Sequence, residues 1–219
     1  MINYDELRHN SDIRAYIEAA DRSLAALGYT EHSFPHVMTV AKNASEILLA
    51  LDYGERYAEL ARIAGLLHDI GNVINRVDHS QSGALLAFRI LDKLGMDASE
   101  ICEIVTAIGN HDEGTGVPVS ELAAALILAD KSDVRRSRVG NTDELSFDIH
   151  DRVNYSATHS ALRLDRETMS VTLFLTVDTS ISSIMDYFEI FLGRMKLCRS
   201  AAQRLGLSFR LNINGQEFI

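Results

Sequence analysis

Six residues in the first 130 combine side chains that bind divalent transition metals with positions where helices begin or end: His36, the adjacent pair His68 and Asp69, His79, His111 and Asp130. Imidazole and carboxylate donors without thiolate suit Mn, Fe, Co, Ni or Zn better than Mg or Ca. A cation of that kind activates water and stabilises charge on a phosphoryl group, so a phosphoester or phosphoanhydride is the natural electrophile. Taken singly, each residue has an ordinary alternative. His79 reads equally as a first-turn helix residue, His111 as a surface residue after Gly109, and Asp130 as a helix-end carboxylate in a salt bridge. Together, the order His, His-Asp, His, His, Asp over a helical segment is hard to produce by chance.

The elements that must position these residues follow from apolar periodicity. Leu60, Ile63, Ala64 and Leu67 recur at three- and four-residue steps, which marks one buried helix face running straight into His68 and Asp69. Gly71 is then expected to end that helix and turn the chain. A carboxylate at such a buried end is costly unless a cation or several donors hold it. Earlier, a helix spans residues 12 to 27. Ser33 is positioned to cap the next one, with Pro35 and His36 in its first turn and Val37, Val40, Ala44, Ile47, Leu48 and Leu51 as its stripe. Asp78 or Ser80 caps a helix whose apolar side holds Ala84, Leu85, Phe88, Ile90 and Leu91. Another runs from about Asp97 through Ile101, Ile104, Val105 and Ile108 to Gly109. Leu122 to Ala129 is apolar all round, which predicts a helix buried on nearly every side and ended by Asp130. Lys131, Arg135, Arg136 and Arg138 follow as a basic cluster, of which Lys131, Arg135 or Arg136 would neutralise the spare oxygens of a phosphate, the ordinary alternative being a solvated helix terminus.

The pattern changes after about Asn154. Leu162 and Leu164 lead through a polar turn into Val171-Thr172-Leu173-Phe174-Leu175-Thr176-Val177, whose alternation predicts a hairpin. A helix from about Ser180 to Leu205 carries Ile184, Tyr187, Phe188, Phe191, Leu192 and Met195, and Leu207 to Ile213 alternate as a last strand. The expected fold class is mainly α: a helical bundle over residues 1–158 and a β-β-α-β appendage over residues 159–219, α+β in sum. One antiparallel sheet with the helix across its apolar face is the expected form of the appendage.

With these residues in view, the sequence resembles the HD-domain superfamily of metal-dependent phosphohydrolases. Its helix-borne His, adjacent His-Asp pair and later Asp are matched by His36, His68-Asp69 and Asp130, over roughly residues 30 to 135. His79 in Asp78-His79-Ser80 and His111 in Asn110-His111-Asp112 match the members that hold two metal ions. The resemblance implies one or two divalent ions. His36, His68, Asp69 and Asp130 hold the first, and His79 and His111 with a shared Asp69 hold the second. Asp69 and His68 are then the catalytic pair, and Lys131, Arg135 and Arg136 the phosphate-binding cations. The branch that cleaves cyclic dinucleotides is disfavoured, because Gly116-Val117-Pro118 follows closely on His111 and Asn72 stands where that branch carries Lys. The expected substrate is a nucleotide or another small phosphorylated metabolite. The competing reading is a non-catalytic HD module that binds metal or nucleotide and signals through the appendage.

The 219 residues carry a formal charge of −10, with 47% hydrophobic and 24% charged residues, which suits a folded chain and disfavours binding a nucleic-acid polymer. No apolar run reaches membrane-spanning length and the start of the chain lacks a signal-peptide core, so a cytoplasmic protein is expected. Cys102 and Cys198 lie singly in helical patterns and read as reduced core thiols. A homodimer is left open.

Overall fold

The computed structural model describes residues 1–139 and 147–218. Helices α1 (Tyr4–Arg8), α2 (Ser11–Ala26), α3 (Phe34–Ala50), α4 (Glu55–Leu67), α5 (His79–Lys93), α6 (Ala98–Gly109), α7 (Glu121–Lys131) and α8 (Ile149–Ser156) precede strands β1 (Ala157–Asp165) and β2 (Ser170–Val177). Helix α9 (Ile184–Arg204) and strands β3 (Ser208–Ile213) and β4 (Gln216–Glu217) complete the chain. The protein is mainly α, with a small sheet at its C-terminal side.

Small residues set how the first helices meet. A Cβ on Gly65 would stand 2.6 Å from the Ala41 backbone, so α4 lies backbone to backbone on α3. Ala41, Ala44, Ala61 and Ala64 fill the rest of that seam without exposure. This approach brings His68, at the end of α4, beside His36, in the first turn of α3.

Gly71 acts differently from expectation. It is absent from the glycines with positive φ and lies in a short 3-10 segment, Ile70–Val73, after α4. Its smallness serves close approach: a Cβ there would fall 2.0 Å from the His79 carbonyl oxygen and 2.5 Å from the Gly83 nitrogen. Helix α5 therefore rests on the turn that follows the His-Asp pair. Neither expected cap of α5 operates, since Asp78 takes a left-handed φ of 56° and its side chain accepts no capping hydrogen bond. The buried face of α5 is His79, Ser80, Gly83, Ala87 and Leu91. Leu85 and Phe88, expected on that face, are 71% and 49% exposed, because the close contact with Gly71 selects small residues over large ones.

Helix α7 is buried on every side, with Leu122 through Ala129 showing no exposure. Ser120 caps it through the Ala123 N–H at 3.1 Å. Such a helix at the centre of the bundle delivers Asp130 to the interior.

The sheet has the order β1-β2-β3-β4. β1 pairs antiparallel with β2, but β2 and β3 are parallel, which corrects the antiparallel expectation. A helix between two strands carries the chain back to the starting edge, so the second strand runs in the direction of the first. Alternation reports which face is apolar and is silent on direction. The apolar face is as read, with Val171, Leu173 and Leu175 beside Phe209, Leu211 and Ile213, all buried. α9 packs on that face and on α7, and one hydrophobic cluster runs from the bundle into the sheet. Leu192, expected inside, is 49% exposed. Cys198 is buried and Cys102 is exposed, so only one of the two is a core thiol. Among the described residues no helix is long and apolar enough to cross a membrane.

Candidate metal centre

Five segments bring their ends to one place. His36 comes from the first turn of α3, His68 and Asp69 from the end of α4, His79 from the start of α5, His111 from just past α6 and Asp130 from the last turn of α7. Their burial is nearly complete: His36, His68 and His111 are at 0%, His79 at 2%, Asp69 at 5% and Asp130 at 8%.

The four imidazoles are oriented alike. Nδ1 of His68 lies 2.8 Å from the Gly65 carbonyl oxygen, that of His111 2.6 Å from Ile108, and that of His79 3.1 Å from Arg76. A carbonyl can only accept, so the neutral rings of His68 and His111 carry their protons on Nδ1 and offer a bare lone pair at Nε2, whereas the Nε2 of His79 also has Arg76 Nη1 at 3.0 Å. His36 does the same against a carboxylate, with Nδ1 2.7 Å from Asp133 Oδ2. The Nε2 atoms of His36, His68 and His111 are buried and have no hydrogen-bond partner among the described residues. Three orphaned acceptors in one interior are costly unless something accepts their lone pairs.

Asp69 stands between them with its two oxygens divided. Oδ2 lies 3.6 Å from His36 Nε2 and 3.2 Å from His68 Nε2, and Oδ1 lies 3.5 Å from His79 Nε2 and 3.9 Å from His111 Nε2. Asp130 Oδ1 joins the first group at 3.4 Å from His36 and 3.6 Å from His68. Asn72 Nδ2 donates to Asp69 Oδ1 at 3.0 Å and to its backbone oxygen at 2.9 Å, which holds the carboxylate in this orientation. Two triads meet the distance requirement for a common ion: His36, His68 and Asp130, and His68, Asp69 and His111. The donor set fits one or two divalent ions, with Asp69 placed to serve both groups.

Electrostatics point the same way. Burial opposes charge on His68, yet Asp69 and Asp130 outweigh it and hold the imidazolium up to about 10. His36 is raised too, because its hydrogen bonds to Asp130, Asp133 and Asp69 overcome burial and the Arg138 charge. Burial, helped by the charges of His68 and Lys131, lowers His111 to about 3. Burial works against the charges of Asp69 and Asp130, but their cationic neighbours keep both well below the usual carboxylate range. The interior thus demands positive charge, which protons supply when no ion does.

A cavity of about 540 Å³ opens onto this centre and is lined by Asp69, His79, Asp130 and Lys131. Of the three expected phosphate cations, only Lys131 lies there, with Nζ 2.6 Å from Asp130 Oδ2. Arg135 is turned to Asp133, 2.7 Å from Oδ1, and Arg136 donates to the Tyr155 carbonyl at 2.6 Å and stacks on the Tyr155 ring. Neither lines the cavity. The cations that do so besides Lys131 are Arg76, Arg138 and Arg194. Arg138 is anchored by donating to the Glu31 and Asp133 carbonyls at 2.9 and 2.7 Å.

Sequence reasoning also missed His32. Half-buried, it lines the cavity, with its ring edge-on to His36 at 5.5 Å. Burial lowers it to about 3. It stands one helical turn before His36, but in the loop ahead of α3, where no periodicity marks it. His150 lines the same cavity.

Buried imidazole and carboxylate donors converging at the ends of packed helices define a helical bundle with a candidate metal centre. Residues 34–135 match the HD domain family. An uncharacterized protein of Methanocaldococcus jannaschii, MJ1020, is 26% identical over 158 residues, which cover 62% of this chain and 60% of that one. The chain therefore spans less than two thirds of this curated relative. A crystal structure of a predicted HD superfamily hydrolase from an uncultured Thermotogales bacterium is 29% identical, with a TM-score of 0.46 over 61% of this chain and 75% of that one.

Proposed function

We propose that this protein is a metal-dependent phosphohydrolase that cleaves a phosphoester or phosphoanhydride of a nucleotide or another small phosphorylated metabolite. The observation that carries this reading is the division of Asp69, one oxygen toward His36 and His68 and the other toward His79 and His111, with the Nε2 atoms of His36, His68 and His111 buried and without a hydrogen-bond partner among the described residues.

His36, His68, Asp69 and Asp130 would hold one ion, and His79 and His111 with Asp69 a second. Ions so held supply Lewis acidity toward a phosphoryl oxygen and lower the pKa of a water. The chain's own contribution is orientation and charge. Asn72 fixes the plane of Asp69, and backbone carbonyls or Asp133 fix the tautomers of His36, His68 and His111. Lys131 faces the cavity beside Asp130, where its ammonium balances an anionic substrate. Burial of the donors lowers the effective dielectric around them and strengthens each of these interactions. The two unpaired cysteines support a reducing, cytoplasmic setting.

The test is phosphate release from a panel of nucleotides and sugar phosphates with added Mn. Release that Asp69→Ala abolishes supports the assignment. Tight nucleotide binding without turnover by the parent rejects it in favour of a binding module.

A further inference from the structure

Helix α9 lies outside the HD domain, yet Ile190, Phe191 and Arg194 from it line the cavity that opens onto the metal centre. Tyr187, Phe191, Arg194 and Cys198 are spaced by four, three and four residues, so Arg194 occupies the same stripe as three buried side chains. An arginine in an apolar stripe needs a reason. Here its guanidinium sits over the Phe191 ring at 4.1 Å, and its Nε donates to Glu113 Oε2 at 3.3 Å. Gly193 makes room for that carboxylate, since a Cβ there would stand 3.0 Å from Glu113 Oε1. The stack and the tether fix the plane of the guanidinium while consuming only Nε. Its two terminal nitrogens have no hydrogen-bond partner among the described residues, and the side chain is 21% exposed. Arg138, held through Nε and Nη1, lines the same cavity, so a second guanidinium borders the space that Arg194 faces, alongside the carboxylates of Glu113, Asp148 and Asp151.

We infer that Arg194 forms an oxyanion subsite that takes a second anionic group of the substrate, a phosphate or a carboxylate remote from the phosphoryl group at the metal centre. This rests on the phosphohydrolase reading and narrows its substrate class to compounds with two anionic groups. It also gives the C-terminal part of the chain a role in selecting substrate. Arg194 is a specificity-determining residue; it does not touch the reacting atoms.

The test is calorimetric titration of the Mn-loaded protein and of Arg194→Gln with fructose 6-phosphate, fructose 1,6-bisphosphate and 6-phosphogluconate. The expected result is binding of the bisphosphate, the phosphogluconate or both weakened about tenfold or more in the variant, with fructose 6-phosphate changed less than about threefold. Which of the two weakens tells phosphate from carboxylate. Arg194→Lys, which keeps the charge and loses the fork, falls between parent and Arg194→Gln. Equal weakening of all three ligands, or no weakening of any, overturns the inference. Equal metal content in the three proteins guards against misfolding as the cause. Should the parent release phosphate from no compound, the phosphohydrolase reading fails, while the calorimetric comparison still decides whether Arg194 binds an anion.

Discussion

His36 Nδ1 lies 2.7 Å from Asp133 Oδ2, a carboxylate 97 residues further along the chain. Asp133 also accepts from Arg135, and Arg138 donates to its backbone oxygen, so the carboxylate is held in place by two arginines as well as by the ring. It sets the ring angle and tautomer of a ligand. Asp133→Asn presents an amide that no longer balances the imidazole N–H, and metal affinity is expected to fall roughly tenfold to a hundredfold. Competition with a chelator of known affinity measures it. Unchanged affinity would show that the His36 ring is positioned by packing alone.

His79 and His111 face the Oδ1 side of Asp69, away from Asp130. His79→Ala and His111→Ala should each lower bound metal from about two ions per chain to about one, the second ion being the weaker because it has fewer protein ligands. Elemental analysis after dialysis checks this. Parent stoichiometry retained in both variants would remove the second ion from the scheme.

Gly71 touches no ligand with a side chain, yet Gly71→Ala is expected to damage the centre. The new methyl would meet the His79 carbonyl at 2.0 Å, so α5 must move and take His79 with it. Overpacking of this kind costs about 1–3 kcal/mol, here at the upper end because the opposing atoms are backbone. Denaturant unfolding and metal content should fall together. Loss of stability with full metal content would mean that α5 yields without shifting its first turn.

Glu100 and Arg56 tie α6 to α4, with Arg56 Nε 2.6 Å from Glu100 Oε1. Hydrogen bonds from Arg56 hold the Glu100 carboxyl below its ordinary value, against a smaller opposing effect of burial. A depressed carboxylate contributes stability that is complete above the unfolded pKa, about 4.3, and is lost as pH falls through the folded value. Glu100→Gln should therefore cost up to about 1 kcal/mol at pH 7 and progressively less below pH 4. Urea unfolding of both proteins at neutral and acidic pH tests the sign. A deficit that persists undiminished at pH 3 would assign the effect to packing.

The six residues of the centre were legible in the sequence because each adjoins a helix boundary, and boundaries are marked locally by caps, glycines and the end of an apolar stripe. Helical class and the apolar faces of β2 and β3 were legible for the same reason. What was not legible depends on contacts distant in sequence. Asp133 lies three residues past Asp130 in a basic run, and only the fold reveals that it faces His36. Arg194 is one polar residue in an amphipathic helix until α9 is seen beside α7. The exposure of Leu85 and Phe88 follows from the small residues that α5 sets against Gly71, which hydrophobicity alone cannot anticipate.

Because the donors come from the ends of five segments, no partly folded chain possesses the centre. An ion that binds only the assembled set stabilises the fold by mass action, about 4 kcal/mol at a free concentration a thousand times its dissociation constant. Fold and metal supply then become one equilibrium: scarcity of the ion is felt as proteolytic lability of α3 through α7, and a lesion deep in α7 is felt as metal deficiency. The turnover of such a protein in a cell would report metal availability, whatever its substrate.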